Sequence, residues 1–208
     1  MQLCIDTISQ AAGITLAGSG EGIYLPLDPM NSSEGIIDTI DEALSEAGAT
    51  LGDLEGVMVI KGPGSFTGLR VGLSVANQFA HQLKVPIFAL RTDEWWLART
   101  ESPDALYLQT MNKAELYVSK HGRHSIEDAQ NLSQFGPAVW LGQVSEDHRA
   151  WLPSDFQETH DLLSIEATWT MLARECQCNT DLRRSYELAE PFYGKDPAIT
   201  KSKRQVSL

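Results

Sequence analysis

The residues best suited to chemistry are Gly62-Pro63-Gly64-Ser65-Phe66-Thr67-Gly68-Leu69-Arg70, between an apolar run and a helical pattern. Three glycines and a proline there demand tight backbone geometry, because Gly tolerates positive φ and Pro fixes its own. A strand-loop-helix junction also leaves amide groups free at the helix start, which favours an anion. The spacing is not that of a Walker A loop. Gly62 and Gly68 bracket five residues, and Leu69-Arg70 stands where Lys-Ser/Thr is required. No Gly-x-Ser-x-Gly surrounds Ser65, so a nucleophile elbow is also excluded. Two readings stay open: Ser65 or Thr67 caps the helix while the glycines fit a crowded turn, or the loop holds a phosphate or other ligand.

Few other residues offer chemistry. Asp6 is the one early acid that could hold a metal or a water. The five histidines are His81, His121, His124, His148 and His160, and none forms His-x-x-x-His, the pairing that puts two imidazoles on one helical face. His121 and His124 are three apart, but Gly122 and the preceding strand place them in a loop, so no metal site is expected. Trp95 and Trp96 could stack nucleic-acid bases; their helix-like setting over 93–99 favours core packing. Cys176 and Cys178 are too close for easy pairing, and with Cys4 as the only other sulfur a reducing cytoplasm is the expected compartment.

Around the loop, strands are expected over 2–7, 13–17, 22–27, 57–61 and 86–90, with helices at 34–47 and 67–83. Ser32 or Ser33 would cap the first helix and Gly48 end it. Its apolar positions are Ile36, Ile37, Ile40, Ala43, Leu44 and Ala47. The second helix carries a small-residue stripe, Gly72, Ala76 and Ala80, flanked by Leu69, Leu73 and Leu83, with a second ridge at Val71, Val75 and Phe79. Two ridges on one helix imply two covers. One is the protein's own sheet, and the other is its first helix or a second chain. On the docking reading, Ala76→Glu should break a close helix contact.

The second half repeats the pattern weakly: a hairpin over 105–110 and 115–120, a strand at 138–142 and a helix over 159–176. The chain has 208 residues, 42% hydrophobic, with Lys+Arg 16 against Asp+Glu 28 and a net charge of −12. That suits one domain or two small lobes with a real core. An acidic surface argues against direct grip on nucleic acid, and no window approaches about 18 uncharged apolar residues, so no membrane span is expected. The start, Met1 to Asp6, does not read as an export signal. From Gly194 on, Lys195, Lys201, Lys203 and Arg204 face one acid, Asp196, and read as a solvated basic tail.

The run Gly62 to Arg70 with Val71-Gly72-Leu73 resembles the hallmark of the TsaB (YeaZ) family. Ile5-Asp6-Thr7, Asp53-Leu54, Val85-Pro86-Ile87 and Glu115-Leu116-Tyr117 are similar to it too, with Ile8 departing from the family's Ser. Glu190-Pro191-Phe192-Tyr193 and Asp196-Pro197-Ala198 resemble the family's tail, with Gly194-Lys195 replacing Leu-Arg. The resemblance covers most of 1–120 and about 190–203, and leaves 121–188 unmatched.

The resemblance implies an α/β, actin-like/Hsp70-like ATPase (ribonuclease H-like) fold with two lobes, mixed sheets flanked by helices and a degraded second lobe. The lobes would be 1–100 and 101–193, followed by a basic tail over 194–208. It further implies a non-catalytic subunit in the making of N6-threonylcarbamoyladenosine at position 37 of tRNAs reading codons that start with A. Its partners would be the metal-holding paralogue TsaD and the ATPase TsaE, with tRNA met only through the complex. A homodimer through the same helices is a further expectation. The partner-binding residues carried over are the helix positions already named, and no cofactor is expected. The competing class is a small phosphate-handling hydrolase or kinase-like enzyme using Gly62–Gly68 and Asp6.

Overall fold

In β1 (Gln2–Asp6) Leu3 and Ile5 point to one face and Cys4 to the other, as strand alternation requires. In β4 (Gly56–Ile60), Val57 and Val59 join the first face, and Met58 and Ile60 the second. Both faces are buried, which is why these strands read as continuous apolar runs. β1 pairs antiparallel with β2 (Gly13–Ala17) and parallel with β4. β2 continues antiparallel to β3 (Ile23–Pro26), and β4 parallel to β5 (Ile87–Leu90), giving the order β3-β2-β1-β4-β5. This computed structural model describes residues 1–18, 20–27, 32–178 and 188–195.

One face of the sheet is covered by α1 (Ser32–Glu46) and α2 (Phe66–Leu83). The other carries Met58, Phe88, Trp95 and Trp169 in a core shared with Tyr107, Tyr117 and Leu141 of a second sheet. Trp95 and Trp96, in α3 (Thr92–Leu97), are 0% and 7% exposed, so they serve the core.

The second sheet repeats the first. Strands β6 (Leu106–Thr110), β7 (Glu115–Lys120) and β8 (Arg123–Asp128) form an antiparallel meander. β9 (Ala138–Gln143) and β10 (Phe156–Glu158) add in parallel, so the order is β10-β9-β6-β7-β8. Matched strand for strand, the two sheets have the same topology. Their crossovers differ. Where the first lobe has α1 of 15 residues, the second has a 3-10 turn over Ala129–Phe135; where it has α2 of 18 residues, the second has the four-residue α4 (Glu146–Arg149). The duplication expected from sequence is present, and its degradation lies in the helices.

Three expectations need correction. β8 and β10 were not expected at all, and His124 lies in β8 rather than in a loop; only His121, at φ 49, is in the turn. The last helix, α5 (Ile165–Cys178), starts six residues later than the Thr159 expected, because the Leu163 backbone is taken by Arg99. Leu163 N donates to Arg99 O at 2.8 Å, and the Arg99 guanidinium donates to Leu163 O at 3.0 and 3.1 Å. Ser164 then caps α5, its hydroxyl accepting from Ala167 N at 3.1 Å. The Ser32 and Ser33 side chains, Asp196 to Ala198, and the tail residues Lys201, Lys203 and Arg204 lie outside the described residues. Among the described residues no helix is long and apolar enough to cross a membrane.

Candidate functional site

The glycine loop leaves β4 at Lys61 and enters α2 at Phe66. Ser65 is the cap, its hydroxyl accepting from Gly68 N at 3.3 Å; Thr67 is exposed in the first turn. The rest of the loop is fastened to the protein itself. Thr92 N donates to Gly62 O at 2.8 Å, and Thr92 Oγ1 donates to Pro63 O at 2.7 Å. Gln109 Nε2, from β6, reaches Pro63 O at 3.4 Å. Gly62 adopts φ +109, and a Cβ there would stand 2.1 Å from the Phe192 carbonyl oxygen. At Gly72 a Cβ would meet Thr7 Oγ1 at 2.3 Å. The glycines are thus used for close approach, and of the two open readings the structure supplies the cap and the crowded turn. Gly64 is half-buried beside Ile8, Phe66 is 52% exposed, and the Arg70 guanidinium lies 3.9 Å over the Phe66 ring.

Asp6 ends β1 with its carboxylate turned back on its own chain. Oδ1 accepts from Ile8 N at 2.9 Å and Ser9 N at 3.0 Å, and Oδ2 accepts from the Ser9 hydroxyl. Burial pushes the Asp6 carboxyl above its ordinary range, while the Ser9 and Ile8 donors pull the other way.

A second buried carboxylate, Asp93, escaped the sequence reading. At the start of α3 it takes the Arg91 guanidinium at 3.0 and 3.1 Å, the Tyr117 hydroxyl at 3.1 Å and the Ser119 hydroxyl at 2.6 Å. Burial and the Asp93 charge push the Tyr117 phenol far up, so it stays a donor. The missed signal is alternation in β7: Tyr117 and Ser119 share a face, and a polar pair on an inward face needs a partner. Through Thr92 this cluster is one residue from the bond that holds Pro63.

The helix residues divide sharply. Ile36, Ile40, Ala43, Leu44, Leu69, Gly72, Leu73, Ala76 and Ala80 are buried in the chain's own core. The small-residue stripe thus faces inward, onto Thr7 and the sheet, and is not an open docking groove. Accessible surface remains on Ile37, which is 45% exposed, and in part on Ala47, Phe79 and Leu83, with Val71 and Val75 beside them. Thr67, Arg70, Ser74 and Gln78 line the outer side of α2, and Asp38, Asp41, Glu42 and Glu46 that of α1.

Residues 19–139 match the family model for TsaD: tRNA N6-adenosine threonylcarbamoyltransferase. The chain is 32% identical over 156 residues to the tRNA threonylcarbamoyladenosine biosynthesis protein TsaB of Bacillus subtilis, covering 71% of this chain and 67% of that one. The chain belongs to the TsaB (YeaZ) family. To the TsaB of Escherichia coli it is 30% identical over 91 residues, 43% of this chain and 39% of that one, so it spans well under two thirds of that relative. YeaZ from Pseudomonas aeruginosa shares the fold, with a TM-score of 0.73 at 17% identity over 92% of this chain and 99% of that chain.

In this TsaB-family chain His121 and His124 have different partners. His121 Nε2 sits 3.0 Å from Asp104, and His124 stacks on Tyr117 with ring centroids 5.4 Å apart. Asp6 gives a test by pH. Its folded pKa lies above the ordinary 3.8, so the native state holds a proton that the unfolded chain releases, and stability falls as pH rises through that window. Asp6→Asn keeps both backbone bonds without the buried charge. Thermal melts should show the variant close to the parent near pH 3.8 and gaining on it as pH rises. A constant difference across that range would contradict this.

Proposed function

We propose that this chain is a non-catalytic subunit in the formation of N6-threonylcarbamoyladenosine at position 37 of tRNAs reading codons that start with A. It docks a TsaD transferase through the outer side of α1 and α2, and the TsaE ATPase joins the pair. The names carried by its relatives support the pathway. The observation that carries the non-catalytic role is the internal engagement of the Asp6 carboxylate. The Asp6 carboxylate accepts three hydrogen bonds from Ile8 and Ser9, and the glycine loop is fastened by Thr92, Gln109 and Phe192. A phosphate-handling enzyme would need Asp6 free for a metal or water; the loop bonds, made through the Gly62 and Pro63 carbonyls, fix the shape of the loop.

In this reading residues 1–100 form the docking lobe and 101–193 the second lobe. The net charge of −12 leaves tRNA contact to the partners. Reconstitution decides the matter. The purified chain should turn over neither ATP nor peptide. Combined with TsaD, TsaE and an activated threonylcarbamoyl donor, it should be required for modified adenosine in tRNA, measured by nucleoside mass spectrometry. Modification that proceeds equally without the chain, or strong hydrolysis by the chain alone, overturns the proposal.

A further inference from the structure

Eight large apolar side chains are exposed among the described residues, and four of them, Ile37, Phe66, Leu188 and Tyr193, lie on α1, α2 or the segment 188–195. That segment runs antiparallel along α2 and is fastened at both ends. Asn77 Nδ2 donates to Ala189 O at 3.0 Å, and Ala189 N donates back to Asn77 Oδ1 at 2.8 Å. Phe192 N donates to Lys61 O at 2.7 Å, and Lys195 Nζ pairs with Glu115 at 2.6 Å. The Phe192 ring inserts edge-on against Tyr117 and His124, at 6.3 and 5.2 Å between centroids. Its carbonyl fills the space Gly62 leaves by lacking a Cβ.

What this fastening presents is Tyr193. Its ring lies 5.7 Å from Phe66, and the Arg70 guanidinium lies over that Phe66 ring at 3.9 Å. Phe66 stays 52% exposed and Tyr193 39%. Two aromatics and an arginine, held in place yet uncovered, have the make-up of a binding hot spot.

We propose that the segment 188–195 completes the docking face, with Tyr193, Phe66 and Arg70 as its anchor, and that the composite face takes a partner bearing basic residues rather than a second copy of this chain. The proposal rests on the docking role proposed above and extends it to a segment outside the two helices. The charge argues for the occupant. The outer side of α1 carries exposed Asp38, Asp41, Glu42 and Glu46 and has no base in its last turn. A second copy would bring the same four acids, with the exposed Arg70 set against them, and another net −12 to the contact, whereas a basic face would be attracted.

The test titrates the full chain against purified TsaD by calorimetry and follows amide exchange at Ala189 and Phe192. Tyr193→Ala should weaken binding about tenfold or more without shifting the melting temperature, and Asn77→Leu, which frees the Ala189 end of the segment, should weaken it as well. Partner addition should slow exchange at both amides, and added salt should weaken binding. If Tyr193→Ala binds like the parent while Ile37→Arg does not, the segment is not part of the face and only the helix docking survives. If both bind like the parent, both proposals fall. A dimer of the chain alone, lost in Tyr193→Ala, would make the occupant a second copy and overturn the assignment.

Discussion

Asp93→Ala is expected to lower stability by about 3–5 kcal/mol, the usual cost of removing one partner from a buried charged pair. The Asp93 side chain is 1% exposed and that of Arg91 17%, so water replaces little of what is lost. The substitution takes the shared acceptor from three donors at once: the Tyr117 phenol, which burial keeps protonated, the Ser119 hydroxyl, and the Arg91 guanidinium, which keeps Glu94 and the Gly122 carbonyl at 3.4 Å. For a chain of 208 residues that corresponds to a fall in melting temperature of roughly 10 °C. Asp93→Asn keeps an acceptor and should cost less, about 1–3 kcal/mol. The effect should also reach the glycine loop, because Thr92, next in the chain, holds Pro63 O. Calorimetric melts of both variants check the ranking. An Asp93→Ala protein that melts with the parent would mean that the cluster adds nothing to stability.

The contrast between Asp93 and the helices shows where sequence is informative. α2 was legible because one rotation period runs through eighteen residues, with a capping serine at one end. Which way its small residues face was not. A stripe of Gly72, Ala76 and Ala80 permits close approach by anything, and here the neighbour is Thr7, sixty-one residues before Gly68 whose carbonyl its hydroxyl meets. β8 has only Ile126 as an apolar residue, so its strand state comes from pairing with β7, which no local pattern encodes. α5 looked longer because Leu162 and Leu163 fit the helical period; the competing bonds come from Arg99, on the far side of the second sheet in sequence. The polar cluster of Asp93 with Tyr117 and Ser119 joins a helix start to a strand twenty-four and twenty-six residues on. Local periodicity gave the elements and the duplicated topology, while the facing of small and polar residues waited on tertiary contacts.

Facing also decides which substitution can probe docking. Ala76→Glu should unfold the first lobe, since Ala76 is 0% exposed within an apolar cluster and burying an unpaired carboxylate there is costly. Its loss of partner binding would therefore carry no information about a surface. Ile37→Arg combined with Ser74→Arg is the informative change. Ile37 is 45% exposed and Ser74 is exposed on the outer side of α2, so the fold should change by no more than about 0.5 kcal/mol for each. At a docked helix face, however, two long cations displace a contact that must be both apolar and closely packed. Binding to TsaD should fall by about a hundredfold or more, in the range of hot-spot losses, and tRNA modification in the reconstituted system should fall with it. The two measurements separate the causes: Ala76→Glu shifts the melt and the exposed pair does not, yet both lose the partner. If the exposed pair binds and supports modification like the parent, the outer side of α1 and α2 is only solvent-facing, and the partner must be sought elsewhere on the molecule.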